Sequence, residues 1–233
     1  MRFALVGYGK MGRMIERLAT ESGSVIALRL DEYNNVDGAG LTAANFAGID
    51  AAIEFTAPSI AVPNLLRLAE LKVPTVCGTT GWFEDLESVR TAFEANAGTL
   101  VYSANFSIGV NVFRRVVSEA ARWMSRQSGY EAWAWEIHHS AKQDAPSGTL
   151  LRLVEDMRAA GYDRHVDAAS NRAGAHPGTH EIGFDSLADT LTVRHAARGR
   201  EGFAYGALQA AHWACCHAGV REFAEILFSD DKE

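Results

Sequence analysis

The feature that most limits what this chain can become is a set of glycines wedged between an apolar run and a helical pattern at its start. Arg2-Phe-Ala-Leu-Val6 has the composition of a short strand buried on both faces. Gly7-Tyr8-Gly9-Lys10-Met11-Gly12 follows at once, and Arg13 to Ala19 continues with helical spacing. Strand, tight turn and helix in this order form the setting in which G-x-G-x-x-G takes up a pyrophosphate. A side chain at Gly7 or Gly9 would hold the backbone off the ligand, and Gly12 lets helix and strand pack closely. Val25 to Leu30 reads as a second strand, and it ends at Asp31, where a carboxylate reaches the ribose hydroxyls of a dinucleotide. Asp31 and Glu32 together repel a 2′-phosphate and no arginine follows closely, so the cofactor expectation is NADH or NADPH with a lean to NADH.

The alternation continues. Strands are expected at 51–55, 74–77 and 99–102, with helices at 59–71 and 84–96 between them. Repeated units of this size predict an α/β chain, a Rossmann-type doubly wound parallel sheet whose ligands lie beyond the carboxyl ends of the strands. The segments Gly78-Thr79-Thr80-Gly81-Trp82 and Ser103-Ala104-Asn105-Phe106-Ser107 occupy such ends, and their hydroxyls and amide suit the nicotinamide half of a dinucleotide. As plain loops they would need only turn chemistry. A helix from about 110 to 127 leaves this domain. The division expected is 1–107 for the dinucleotide domain, with helices of 201–233 packed back on it. Residues 108–200 then make an α+β domain for substrate and oligomerisation.

That second domain carries the richest stretch for chemistry. Tyr130 to Ile137 alternates as a strand, with Trp133, Trp135 and Ile137 on one face. His138-His139-Ser-Ala-Lys142-Gln-Asp-Ala-Pro-Ser147-Gly148-Thr149 follows, and Leu150 to Ala160 reads as an amphipathic helix closed by Gly161. The first turn of a helix has N–H groups without intrahelical partners, which makes an anion site. Imidazole moves protons near neutral pH and lysine adds a donor and a charge. The combination suits a small anionic substrate that must be protonated. The competing reading is that Asp144 to Ser147 only cap a helix beside ordinary strand-end histidines. If the strand runs through both histidines their side chains face opposite ways, so at most one lies in the reaction path.

Beyond Asn171 the chain is polar up to His180, and 180–185 with 190–195 look like paired strands. His176 to His180 could cover a substrate. His176 with His180 makes a poor metal pair, having no cysteine or carboxylate pair to complete a tetrahedral set, and no metal is expected. Arg194, His195, Arg198 and Arg200 are a local basic cluster, either solvated or attracting a carboxylated substrate. A helix from about 203 to 217 and a shorter one near 221–228 close the chain.

Composition excludes several classes. A formal charge of -7 argues against nucleic-acid and anionic-membrane partners. No run approaches the ~20 apolar residues of a membrane span. The opening residues lead straight into a strand, so no signal peptide is expected. Cys77, Cys215 and Cys216 lack metal-type spacing and read as reduced and buried, which fits a cytoplasmic protein.

The residues resemble the 4-hydroxy-tetrahydrodipicolinate reductase (dihydrodipicolinate reductase) family over nearly the whole chain. The resemblance rests on Gly7 to Arg13, Gly78 to Gly81, Ser103 to Ser107 with Gly109-Val-Asn111, and above all His138-His139…Lys142-x-Asp-Ala-Pro-Ser-Gly-Thr149. It implies NAD(P)H-dependent reduction of a cyclic imine dicarboxylate on the way to lysine and diaminopimelate. By the same resemblance His138 is a proton donor and acceptor and Lys142 a second proton donor. His139, Gly148 and Thr149 bind the substrate's carboxylate side, with Ser147 in the same turn. Gly7 to Met11, Asp31, Gly78 to Thr80 and Ser103 to Phe106 bind the dinucleotide, and the assembly is a homotetramer. Four departures are visible: the chain is shorter than many members, Ser140-Ala141 replaces a more basic pair, the stretch after Asn171 is compressed to one hairpin, and the arginine expected near the end of the second domain falls to Arg198 or Arg200. The rival readings are another two-domain NAD-dependent dehydrogenase using Lys142, or a non-enzymatic NADH-sensing module.

Overall fold

A computed structural model describes residues 1–229. The chain divides into two units, Met1–Ile108 with the chain from Glu201 onward, and Gly109–Arg200. The first is built on six parallel strands: Arg2–Val6 (β1), Val25–Leu30 (β2), Ala51–Glu54 (β3), Thr75–Cys77 (β4), Thr99–Tyr102 (β5) and Gly219–Glu222 (β10). Their order is β10-β5-β4-β3-β1-β2, so the chain reverses its direction of travel between β1 and β3. Lys10–Glu21 (α1) and Glu201–Ala214 (α6) cover one face through Ile15, Leu18, Ala204, Ala207 and Ala211. Pro58–Glu70 (α2) and Leu86–Ala95 (α3) cover the other through Leu65, Leu68, Val89 and Phe93. Both faces are dry, which is why β1 and β3 are apolar runs without alternation.

The second unit is one mixed sheet under two helices. Ile108–Met124 (α4) enters it, followed by Glu131–His138 (β6), Gly148–Ala159 (α5), Val166–Arg172 (β7), Thr179–Asp185 (β8) and Thr190–Ala196 (β9). The order is β7-β6-β8-β9, with β6 and β7 parallel and the remaining pairs antiparallel. Phe113, Val117 and Ala121 of α4 and Leu150, Leu153 and Met157 of α5 pack on Ala132, Ala134, Val166, Ile182 and Phe184 of the sheet. The hydrophobic drive holds these layers together, at roughly 25 cal/mol per Å² of apolar surface removed from water. Tyr162, just beyond Gly161, is fully buried in the same cluster. Gly161 itself has φ +97, the left-handed turn that ends α5.

Two elements differ from the sequence expectation. Residues 221–222 belong to strand β10, and the helix that follows is only Phe223–Leu227 (α7). Four residues with one buried apolar side chain, Val220, carry no period; pairing with β5 makes the strand. The polar stretch at Asn171 is the end of β7, an exposed edge strand that alternation of apolar residues could not reveal. The cysteines also differ. Cys77 is buried, but Cys215 is half-buried and Cys216 exposed, because α6 ends before them; all three are free thiols.

Candidate active site

Each unit carries one set of candidate residues. In the second unit the sheet register creates the cluster. On the face that bears the core, β6 presents Ala132, Ala134, Glu136 and His138 in turn, since side chains alternate with period two. Ala132 lies opposite Phe184, Ala134 opposite Ile182, and Glu136 opposite His180. On the other side Val166, Ala168, Ser170 and Arg172 of β7 stand beside the same four residues. The core face thus turns polar over two residue pairs.

Glu136 is fully buried at the centre of this patch. Its Oε1 accepts from the Ser147 N–H at 2.8 Å, the Ser170 hydroxyl at 2.9 Å and the Arg172 guanidinium at 2.9 Å. Its Oε2 accepts from the Ser147 hydroxyl and lies 3.3 Å from His180 Nε2 and 3.5 Å from His138 Nδ1. Burial pushes the carboxyl up, but the Ser147 hydroxyl, Arg172, the Ser147 amide and the Ser170 hydroxyl more than offset it and hold Glu136 at about 2. His180 is pushed down to about 4, first by burial and then by His138, with Glu136 opposing. Burial likewise pushes His138 below its ordinary value; Glu136 opposes, while Lys142 and Arg172 add to the shift. Both rings are neutral at neutral pH, and they meet edge to face with centroids 5.0 Å apart.

The loop after His138 is tied down by the same groups. Arg172 also donates to the Asp144 carbonyl, and the Lys142 ammonium lies 2.7 Å from the Asp144 carboxylate. Ser147 caps α5 by accepting from the Leu150 N–H at 3.2 Å. With its hydroxyl and amide both bonded to Glu136, Ser147 is 2% exposed and fastens the loop to the sheet. Gly148 and Thr149 open the helix; the Gly148 N–H reaches Asp144 only at 3.4 Å. His139 is half-buried and leaves the sheet face on which His138 ends. Gly178 lies against the other side of His138: a Cβ there would come within 2.9 Å of Nε2.

Sequence reasoning opened the candidate stretch at Glu136 without giving it a role, passed over Ser170 and Arg172, and left His180 in a covering loop. The signal for Glu136 and His180 was the alternation itself, Glu-x-His after Ala-x-Ala and His-x-Ile-x-Phe. Arg172 needed β7. Of the remaining candidates, His176, Arg198 and Arg200 are exposed, Arg194 pairs with Glu181 at 3.3 Å, and His195 stacks on Phe113. The expected basic cluster is therefore divided between the two faces of β9.

In the first unit the glycine turn has its expected setting with one change of reason. Gly7 has φ +98, and a Cβ there would strike the Phe55 carbonyl oxygen at 2.0 Å, so its need is set by the end of β3. A Cβ at Gly9 would meet no atom within 4 Å, and one at Gly12 would lie 2.5 Å from the Gly7 carbonyl oxygen. No side chain caps α1, so its first amides are available to an anion. Lys10 is exposed and Met11 packs partly on the core. Tyr8 donates to Glu16, which also holds Arg29, while the Arg13 guanidinium lies over the Tyr8 ring at 5.7 Å. Asp31 stands at the end of β2, where its Oδ1 accepts the Tyr33 and Asn34 amides. Thr79 accepts from the Thr56 N–H at 2.7 Å, and Ser103 donates to Glu222 at 2.6 Å. Asn105 orders its turn by accepting from the Ser107 N–H, and the Phe106 ring is core between Phe55 and Phe223. Gly78, Thr80 and Ala104 line these turns, Thr80 and Ala104 exposed. The uncapped helix, the open Gly9 and the acid at the end of β2 together fit a pyridine dinucleotide.

Comparison with known proteins gives the same answer in both units. Residues 1–106 match the family model described as dihydrodipicolinate reductase, N-terminus, and residues 109–227 match that of the C-terminus. A 4-hydroxy-tetrahydrodipicolinate reductase of Christiangramia forsetii is 32% identical over 97% of this chain and 98% of its own. One from Archaeoglobus fulgidus is 31% identical over 91% and 93%. A dipicolinate-bound dihydrodipicolinate reductase of Paenisporosarcina sp. TG-14 shares the fold with a TM-score of 0.81, at 19% identity over 97% and 99% of the two chains. Matched along both units, and by relatives of nearly its own length, the chain belongs to the 4-hydroxy-tetrahydrodipicolinate reductase family.

Proposed function

We propose that, in the reductase reaction of this lysine-biosynthetic family, His138 handles the proton and the start of α5 holds a carboxylate of the substrate. A reduced pyridine dinucleotide, when bound, supplies the hydride. Hydride addition to an unsaturated ring leaves electron density that a nearby acid must protonate. His138 Nδ1 is turned toward Glu136, so Nε2 is the nitrogen left to exchange a proton with substrate, and only a glycine at 178 leaves it uncovered. Burial keeps the ring's pKa low, and a dianion beside it would raise the protonated share. The Gly148 and Thr149 amides and the Lys142 ammonium then stabilise the substrate's charge, with His139 beside them. The substrate is a planar, cyclic dicarboxylate, the chemistry of the dipicolinate bound in the Paenisporosarcina relative.

The observation that carries this reading is the location of His138 at the end of β6, two residues beyond Glu136, whose carboxylate holds Ser147 at the start of α5, where Gly148 is uncrowded. His138→Ala should lower kcat by about 10²–10⁴, the range of acid–base assistance, while leaving NADH affinity within twofold. Equal losses in turnover and cofactor affinity would remove His138 from the chemistry.

Three further readings accompany it. Asp31, with Arg29 already held by Glu16, favours the 2′-hydroxyl of NADH over the phosphate of NADPH; a higher kcat/KM with NADPH would overturn that preference. The protein works as a homotetramer. It acts in the cytoplasm; no helix among the described residues is long and apolar enough to cross a membrane.

A further inference from the structure

We propose that Glu136, His138 and His180 form a binding site for a zinc-class ion, and that an ion held there switches the reductase off. The inhibitory half rests on the proton role of His138; the site itself does not.

Glu136, His138 and His180 each offer one ligand atom within 4.8 Å of the other two, and all three residues are buried. The carboxylate oxygen is 3.3 Å from one nitrogen and 3.5 Å from the other. An ion with tetrahedral N/O ligands at about 2.0–2.2 Å spaces those ligands roughly 3.3–3.6 Å apart, so two edges of the tetrahedron are already drawn.

A second observation points the same way. His138 is 8% exposed, and its Nδ1 is sealed from solvent without a hydrogen-bond partner. A buried nitrogen left in this condition is unfavourable, and a coordinate bond would remove that penalty. The carboxylate is prepared as well. Ser147 N–H, Ser170 and Arg172 all donate to Oε1, which leaves Oε2 aimed at the two rings with only the Ser147 hydroxyl upon it. Outer contacts of this kind orient a metal-binding carboxylate. Two imidazoles and one carboxylate select zinc and its neighbours over magnesium or calcium, which want oxygen throughout.

Coordination at Nδ1 takes the lone pair that an imidazolium would use for its second proton. A coordinated His138 therefore cannot cycle as the acid, and inhibition follows without any covalent change.

The test uses the full chain with cobalt(II) as an optical stand-in and zinc for X-ray absorption. The expected result is one ion per chain, tetrahedral cobalt bands, and a zinc shell of two imidazoles with light oxygen ligands. Zinc inhibition should be reversed by EDTA. His180→Gln should weaken zinc inhibition about tenfold or more and abolish the cobalt bands, whereas His176→Gln, at an exposed histidine, should change neither. An oxygen-rich octahedral shell in the unmodified chain would overturn the site even if His180→Gln fails to fold. So would cobalt bands that survive His180→Gln, or that vanish in His176→Gln. The spectra do not read turnover, so loss of the His138 proton role leaves them interpretable, and their failure leaves that role standing.

Discussion

Glu136 is a buried carboxylate whose charge is kept by its neighbours, and this has a measurable consequence for stability. Its pKa falls from 4.5 to about 2 in the fold, so the contribution is fully present above about 4.5 and is lost as pH falls toward 2. A drop of this size corresponds to about 3 kcal/mol. His180 falls from 6.5 to about 4 because burial disfavours its charged form. A depressed base has the same sign: stability is complete above about 6.5 and declines as pH falls toward 4, where the unfolded chain binds the proton that the fold refuses. The expected outcome is a loss of stability in two overlapping windows, read from denaturant midpoints of the metal-free protein across that range. His180→Gln should flatten the upper window. Glu136→Gln should flatten the lower one while costing about 3 kcal/mol near neutrality, because the largely covered Arg172 is left beside an amide. A midpoint that does not move between the two pKa limits of His180 would contradict its neutral burial.

At the scale of elements, legibility followed periodicity. β1, β2 and β5 were readable to the residue because short apolar runs end there at Gly7, at Asp31, and between Gly98 and Ser103. Glu136 and His138 were visible as residues of one face, but their partners depended on register, which a single strand does not encode. β7 hid because an edge strand needs no apolar alternation, and with it went Ser170 and Arg172. α6 hid a constraint of another kind. Gly206 looks like a weak point in a helix, and alanine there should gain up to about 1 kcal/mol of helix propensity. A Cβ at 206, however, would sit 1.8 Å from the Phe106 carbonyl oxygen, an atom of backbone that cannot swing aside. Overpacking of this sort costs about 1–3 kcal/mol, so the clash outweighs the propensity. Gly206→Ala should lower the unfolding midpoint and raise KM for the dinucleotide, since Phe106 sits in the turn that follows β5. A more stable variant would mean that α6 lies further from that turn than described.

For the whole molecule the open question is what faces the other side of the second sheet. The buried cluster lies entirely on the α4–α5 face. The opposite face carries Trp133, Trp135 and Ile137 of β6, with Gly183 and Thr192 in register beside Trp133 and Glu181 and Arg194 beside Trp135. Gly183 is required there, because a Cβ would meet the Trp133 ring at 2.1 Å. Two indoles left half-exposed on a sheet match an interface core, in which aromatic residues are enriched. A homotetramer joined through this face would bury them by repeating the same patch under symmetry, as closed assemblies do. Sedimentation of the unmodified chain at micromolar concentration should therefore give a tetramer. Trp135→Glu, which sets a carboxylate beside Glu181, should shift the chain to smaller species while circular dichroism stays unchanged. A monomeric native chain would refute the assembly, and a tetramer indifferent to Trp135→Glu would place its contacts away from the outer face of β6.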